Sequence, residues 1–287
     1  MLYLELAFQG IVQGSIYALI ALGLTLVYGL LRILHVAHAA LFTLGAYLGV
    51  IITNMTGSFA LALVASMVAV GIAGMGMYRW VYRPILSKPP YIALIASIAV
   101  FIASEELFRI IFGPYGLSYN ELPITGHFVL FDGFFLKYAE LAVILMSIVI
   151  LSFLSWFSTQ TRRGISWRAT VTDPDIARSF GVNTEHVRYL NFFIGSALAA
   201  AAGIYVALLN NLVEPSIGSV PSYKALAIIV LGGLGSTKGT LIAAMLIGII
   251  ESFGTIYLGH ILDRDALAFG FLIVVLMVRP QGLLGAK

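Results

Sequence analysis

Long runs of apolar residues separated by short polar stretches dominate the sequence. A helix needs about 20 mostly apolar residues to cross a bilayer. Eight candidate runs lie at about 6–28, 34–53, 59–78, 91–112, 138–158, 189–210, 239–259 and 265–279. A ninth run, at about 222–235, is shorter and ends in a glycine-rich segment. Because the runs are continuous rather than alternating, they favour helices over a transmembrane barrel. The pattern predicts an all-α, polytopic transmembrane bundle of eight or nine segments, with residues 1–287 forming one domain.

The composition supports this prediction and excludes several classes of protein. Apolar residues make up 60% of the chain and charged residues only 10%, whereas an average soluble domain carries about 25% charged residues. Such a chain has too little polar surface for a soluble domain, and it is not typical of a nucleic-acid-binding protein. It contains no cysteine, which excludes disulfides and thiolate metal sites.

The basic residues predict the orientation of the chain. Two loops hold most of them, and two predicted crossings separate these loops, so both can face the same side. Extending the alternation places twelve of the sixteen basic residues on that side, which the positive-inside rule assigns to the cytoplasm. These twelve are Arg32, Arg79, Arg83, Lys88, Arg162, Arg163, Arg168, Arg178, Arg188, Lys238, Arg279 and Lys287. The N-terminus is then expected on the outer side, as is a loop at 113–137, which its glycines and prolines predict to be a turn-rich cap.

This arrangement requires the short run at 222–235 to cross the membrane. Fourteen helical residues span only about 21 Å, less than the roughly 30 Å hydrocarbon core. If the run instead re-enters on the same side, Arg279 and Lys287 become external. We favour a crossing in which the glycine-rich end is not helical and is buried in protein.

The longest polar stretch, residues 160–188, contains the signature of a short helix. Asp173 is a good N-cap and Pro174 suits the first helical position, while Gly181 fits the position just after the helix. At this spacing Ile176, Ala177 and Phe180 are expected to share a face. A helix this short is only marginally stable alone in water. It is therefore either a connector packed under the bundle or a contact element presented to a cytoplasmic partner.

The same stretch resembles the coupling segment of the permease subunits of branched-chain amino acid ABC importers. The match consists of Arg168-Ala169, Asp173, Ala177 and Gly181-Val182. Three further stretches resemble signatures of that family, namely 14–29, 33–41 and 225–239. Two positions depart from the family's pattern: His35 replaces its usual Asn, and Ala39 replaces the Gly that usually follows the histidine at His38.

The resemblance implies an architecture and a set of partners. A second homologous permease would complete the translocation path, two cytoplasmic ATPases would grip the helix, and a solute-binding protein would deliver cargo outside. The cargo would be branched-chain amino acids, or urea or short amides, carried across a prokaryotic plasma (inner) membrane. This chain would need no cofactor and would perform no bond chemistry itself. The residues expected to couple to the ATPases are Arg168, Asp173, Ile176, Ala177, Phe180 and Gly181.

Interrupted helices and intramembrane polar residues are the candidates for the path. Gly232, Gly233 and Gly235 are poorly suited to a helix interior, since each costs roughly 1 kcal/mol against alanine, and broken helices often form transport sites. His35 and His38 share a helix face, where packing or path lining is expected rather than a metal site. Glu251 is predicted either to line the path or to be structural, with its carboxylate paired with a neighbouring group of the permease or protonated.

Two alternative functions require residues that are scarce or absent in this sequence. An ion-coupled secondary transporter needs buried ionisable groups, of which Glu251 is the clearest. An intramembrane hydrolase needs paired catalytic acids or a His-Glu-x-x-His motif, and neither occurs. Residues 232–239 depart from a phosphate-binding loop at Thr237 and Gly239, so ATP is expected to bind separate subunits.

Overall fold

The computed structural model describes residues 2–131, 134–259 and 263–284. These residues form a helical bundle with one small antiparallel hairpin. The helices are α1 (Leu2–Leu31), α2 (His38–Thr56), α3 (Phe59–Met77), α4 (Pro90–Phe112), α5 (Tyr138–Gln160), α6 (Arg162–Thr172), α7 (Pro174–Ser179), α8 (Thr184–Asn210), α9 (Ser219–Gly232), α10 (Thr237–Leu258) and α11 (Arg264–Val278), and the strands are β1 (His127–Phe131) and β2 (Phe134–Lys137). A π-helical turn, Tyr78–Tyr82, and a 3₁₀ turn, Arg83–Ile85, extend α3.

Seven of these helices are long and apolar enough to cross a bilayer: α1, α2, α3 with its extension, α4, α5, α8 and α10. The chain is therefore a polytopic helical membrane protein. Helix α9 is apolar but shorter, with 14 residues, and α11 has 15.

The hairpin shows that the prediction of an all-α fold was incomplete. It lies in the loop 113–137, where His127 pairs with Lys137 and Phe128 with Leu136. The sequence contains two signals of a hairpin here: alternating apolar residues and the dipeptide Asp132-Gly133, which is typical of hairpin turns. The prediction was based on long apolar runs and did not use these signals. Asp132 and Gly133 themselves lie outside the described residues.

Glycines allow the central helices to approach closely. A Cβ atom added to Gly248 of α10 would lie 2.5 Å from the Gly10 oxygen and 2.5 Å from the Gly14 nitrogen of α1. In the same way, a Cβ on Gly45 of α2 would lie 2.7 Å from the Cβ of Ala200 in α8. Any side chain at Gly45 or Gly248 would force these helices apart, as is typical of small residues at interfaces between membrane helices.

One end of the bundle gathers the basic loops. At this end the Arg83 Nε lies 2.9 Å from the Glu185 Oε1, which ties the end of α3 to the start of α8 and so brings both basic loops together. Lys238, at the start of α10, lines a cavity together with Trp167 of α6 at this same end. We call it the basic end. Lys287, which was predicted to join it, lies outside the described residues.

The opposite end is built from the loop 113–137 and the segment after α8. Leu117 and Val213 form an isolated antiparallel bridge, with hydrogen bonds of 2.9 and 2.8 Å between their backbones. The Asn54 side chain, at the end of α2, donates to the Ser118 carbonyl at 3.0 Å. Helix α8 therefore ends here, whereas α10 begins at the basic end, and the intervening chain, with α9 in it, passes from one end to the other.

Candidate functional site

Helix α7 at the basic end has the caps that the sequence predicts. The Asp173 Oδ1 accepts hydrogen bonds from the backbone nitrogens of Asp175 and Ile176, each at 2.9 Å, and Pro174 occupies the first turn. Gly181 follows the helix with φ +82°, a conformation that glycine adopts without steric cost. The Val182 nitrogen then donates to the Ala177 carbonyl at 3.1 Å, which closes the helix end.

The prediction that Ile176, Ala177 and Phe180 form one exposed apolar face was wrong, because Ala177 is buried; Phe180 directly follows α7. Ala177 is only 4% exposed and packs into the body of the protein, whereas Ile176 is 58% and Phe180 85% exposed. Successive helical residues point about 100° apart, because a turn holds 3.6 residues. Ala177 therefore anchors α7 to the body of the protein, whereas Ile176 and Phe180 are presented to the surroundings.

Helix α6 supports α7 and was not predicted from the sequence. It occupies Arg162–Thr172 inside the stretch 160–188, and the Thr161 hydroxyl caps it by accepting from the Gly164 nitrogen at 3.0 Å. The Asp173 nitrogen donates to the Ala169 carbonyl at 3.0 Å, so Asp173 ends α6 and begins α7. Helix α6 is polar, so the apolar pattern of the sequence does not predict it. Arg168 lies on α6, exposed, and its carbonyl accepts from the Thr172 hydroxyl at 3.0 Å.

A first helix interruption, residues 32–37, connects α1 to α2. Arg32 has φ +56°, and the chain folds back along α1 so that the His38 ring would lie 3.0 Å from a Cβ added to Gly23. Gly23 is eight residues from the end of α1, about 12 Å along the axis. Helix α2 thus starts at membrane depth, where non-helical backbone is tolerated only inside protein or beside a watery cavity.

His35 and His38 are buried at this interruption, each 1% exposed. The His35 Nδ1 lies 2.6 Å from the Tyr82 hydroxyl, and the ring meets those of Tyr82 and Phe192 at 5.1 and 5.5 Å between centroids. The two histidine rings lie 5.5 Å apart, edge to face. Within this single chain their contacts are those of packing, and the described residues contain no cluster of three or more potential metal ligands.

A second interruption, residues 233–236, connects α9 to α10. Gly233 and Gly235 have φ values of +100° and +84°, as expected for glycines outside a helix, whereas Gly232 is the last residue of α9. A Cβ on Gly232 would lie 2.5 Å from the Gly239 carbonyl carbon, so α9 and α10 touch backbone to backbone. The Leu283 nitrogen donates to the Leu231 carbonyl at 2.7 Å, which helps to satisfy the open end of α9.

Glu251 is the centre of a buried ion-pair cluster. Its side chain is fully buried, and its Oε1 lies 2.8 Å from the Lys224 Nζ. Its Oε2 accepts from the Tyr17 hydroxyl at 2.7 Å and from the Arg264 Nε at 2.9 Å. The Lys224 Nζ also lies 2.7 Å from the Asp265 Oδ1. Two cations and two anions balance, so the structure supports the pairing alternative for Glu251.

Lys224 was not identified from the sequence as the partner of Glu251. The available signal was a lysine inside one apolar run and a glutamate inside another, since charges within a membrane usually pair with one another. The cluster joins α1, α9, α10 and the start of α11.

Comparison with known proteins places these features in a family. The family described as "Branched-chain amino acid transport system / permease component" matches residues 6–278. The high-affinity branched-chain amino acid transport system permease protein BraD of Pseudomonas aeruginosa is 30% identical, over 99% of this chain and 96% of that protein. Its counterpart LivH of Escherichia coli K12 is 31% identical, with the same coverage.

Two more distant matches are also informative. LivM of E. coli K12, a permease protein of the high-affinity branched-chain amino acid transport system, is 26% identical over 94% of this chain and 68% of its own length. The structure of PsaBC from Streptococcus pneumoniae in complex with Fab matches with a TM-score of 0.53 and 12% identity, over 95% of this chain and 91% of that one; this shows likeness of fold alone. The family match and the relatives together show that this chain belongs to the family of permease components of branched-chain amino acid transport systems.

Proposed function

We propose that this chain is the membrane-spanning half of an ATP-driven importer for branched-chain amino acids. It pairs with a second homologous permease, receives cargo from a solute-binding protein outside, and takes its driving force from two cytoplasmic ATPases. This chain contributes the path and the mechanical connection, and the ATPases carry out the hydrolysis. The names of LivH and LivM as permease proteins of one transport system in E. coli support a paired arrangement.

The observation that carries the proposal is the exposed side of α7. A helix of six residues is too short to be stable alone, yet it is capped at both ends and anchored by Ala177, while it holds Phe180 85% exposed. A large aromatic side chain in this position is typical of an anchor that enters a pocket on a partner. The bundle is thus built to present Ile176 and Phe180 to a subunit at the basic end.

The same reasoning gives the membrane arrangement. The basic end faces the cytoplasm of a prokaryotic cell, as the positive-inside rule requires, and the loop 113–137 faces the solute-binding protein. The chain crosses eight or nine times, because α9 and the segment before it connect opposite ends of the bundle. On this arrangement the interruptions at His35 and His38, and at Gly232, Gly233 and Gly235, lie beside the path.

The buried cluster argues against an ion-coupled secondary transporter. Such a transporter needs a carboxylate that releases and takes up its ion during each cycle, whereas Glu251 is held by Lys224, Arg264 and Tyr17 within 2.9 Å. A carboxylate with this many partners is an internal brace.

Cysteine crosslinking tests the coupling contact directly, because the natural chain has no cysteine. Ser179→Cys on α7 should crosslink to an ATPase subunit in the assembled complex and should react with an impermeant maleimide only in inside-out vesicles. Tyr115→Cys, 89% exposed at the opposite end, is the matched control and should react only from outside. Reversal of both labelling patterns would overturn the orientation, and absence of the Ser179 crosslink would contradict the contact.

Transport in proteoliposomes tests the cargo and the energy source. Uptake of radiolabelled leucine, isoleucine and valine should require the binding protein and ATP on the ATPase side. Competition by unlabelled urea or a short amide, with no competition by leucine, would transfer the assignment to that alternative cargo. Ion-driven uptake by this chain alone would establish the secondary-transporter alternative instead.

A further inference from the structure

A cavity of about 620 Å³ opens between α3, α6 and α8 at the basic end. Its inner wall is apolar and is formed by Met75 of α3 and by Leu190 and Phe193 of α8. Its outer rim carries Arg162 and Arg163, from the first turn of α6. An apolar groove with cationic groups at its mouth has the polarity of a phospholipid, whose charged headgroup continues into hydrocarbon.

The rim is positively charged and uncompensated. Among the residues that the structure describes, no carboxylate oxygen lies within 4.0 Å of the guanidinium of Arg162 or Arg163. Glu185, near the start of α8, is already held by Arg83 at 2.9 Å and by Arg188 at 3.7 Å. His186, which also lines the cavity, offers a further polar group beside the two arginines.

The position of the cavity distinguishes lipid from protein as its occupant. Phe193 lies nine residues beyond the first residue of α8, about 14 Å along the axis, within a helix long and apolar enough to cross the membrane. This depth favours an acyl chain as the occupant over a side chain of a soluble subunit.

We propose that this cavity binds an anionic phospholipid, with the headgroup phosphate between Arg162 and Arg163 and an acyl chain against Met75, Leu190 and Phe193. Basic pockets between transmembrane helices at the cytoplasmic surface are suited to anionic headgroups, and guanidinium groups bind phosphate in a bidentate manner. The lipid would fix the position of α6, and through Asp173 that of α7. Lipid binding itself does not depend on the proposed function; only the assignment to the inner leaflet does.

Native mass spectrometry of the full chain, released from nanodiscs containing phosphatidylglycerol and phosphatidylcholine, tests the site. The wild-type chain should retain phosphatidylglycerol preferentially. The Arg162→Gln/Arg163→Gln variant should weaken that preference about 25-fold, since each basic residue at an anionic surface contributes roughly a fivefold factor. Lys88→Gln, which removes an exposed cation from the other basic loop, is the matched control and should retain it. Equal retention by the double variant and the wild type would overturn the proposal.

Two further measurements keep the result specific. Thermal unfolding of the variants in detergent should match the wild type, because both arginines are exposed. If the double variant unfolds at a lower temperature, Arg162→Lys/Arg163→Lys replaces it. This second variant keeps the charge and should retain most of the preference for phosphatidylglycerol. Glycerol phosphate, at the concentration of phosphatidylglycerol that saturates the site, should fail to displace the lipid. Displacement would show a site for a free anion, and loss of ATPase association with unchanged lipid retention would show a protein contact; either result overturns the proposal.

Discussion

The exposed helix α7 and the buried cluster around Glu251 both contain ion pairs, but the pairs do opposite things. Arg178 and Asp175 of α7 lie 3.8 Å apart with side chains 63% and 89% exposed, whereas Lys224 and Glu251 lie 2.8 Å apart with 4% and 0% exposed. A pair in water contributes about 0–1 kcal/mol. Removing one partner of a buried pair costs several times more, because the other charge is left without compensation.

This difference indicates that the Glu251 cluster stabilises the chain itself, whereas α7 is arranged to contact a partner. In the cluster, charge is satisfied inside the chain and joins four helices, so the region is complete without a partner. On α7 the caps are satisfied but the apolar side is uncovered, so the region is complete only in an assembly. Variants at the two sites should therefore fail differently: the first by unfolding, the second by losing association while the chain stays folded.

The largest effect on stability is expected from Lys224→Met. It leaves Asp265 without its close cation and removes one of the groups that hold Glu251, and the expected cost is about 3–5 kcal/mol. The measurement is the thermal or denaturant unfolding of the purified chain in detergent, together with its abundance in the membrane. The matched control is Arg109→Gln, which breaks an exposed pair of the same 2.8 Å length with Glu106 and should cost less than about 1 kcal/mol.

A double variant sharpens this prediction. Lys224→Met/Glu251→Gln restores the balance of charge and should be more stable than the sum of the two single changes implies, as expected for groups in one network. Strict additivity of the two changes, or a Lys224→Met chain as stable as the Arg109→Gln control, would show that the cluster is not a brace.

An intermediate effect is expected from Asp173→Ala. It removes the oxygen that accepts from the nitrogens of Asp175 and Ile176, and loss of such a cap costs about 1 kcal/mol. Because α7 has few other contacts, the cost should appear as local fraying, seen as faster hydrogen exchange at those two amides while global unfolding stays the same. Asp173→Asn, an equally good cap, should exchange like the wild type. Equal protection in the Ala and Asn variants would contradict the role of the cap.

The sequence predicted these two regions unequally, for physical reasons. The caps of α7 depend on residues adjacent in the chain, Asp173, Pro174 and Gly181, so local rules were sufficient to find them. The partner of Glu251 is 27 positions away on another helix, and a single sequence gives no register between two apolar helices. Long apolar runs made the spanning helices predictable, while α6 and the hairpin β1–β2 escaped because neither has the length or the apolar content of a membrane helix.

The prediction that Ala177 shares an exposed face with Ile176 and Phe180 was wrong for a related reason. This outcome changes which variant tests the coupling contact. A spacing of one and four residues places side chains within the same half of a helix, but only tertiary packing decides which of them turns inward. Since Ala177 is buried, Ala177→Arg would disturb the seating of α7 as well as its surface. A failure of that variant would therefore not identify a lost partner contact.

The smallest effect on stability, and the clearest test of the comparison, is expected from Phe180→Ala. An 85% exposed side chain contributes little to folding, so the free energy of unfolding should change by less than about 0.5 kcal/mol. Truncating an aromatic anchor at an interface typically costs about 2 kcal/mol or more, which corresponds to roughly thirtyfold weaker association. Titration of the ATPase subunits against the reconstituted chain, with substrate-stimulated ATP hydrolysis as the second readout, measures this effect. Tyr115→Ala, equally exposed at the other end, should change neither quantity. If Phe180→Ala left association and stimulation intact, α7 would be a connector after all, and its exposed side would need another explanation.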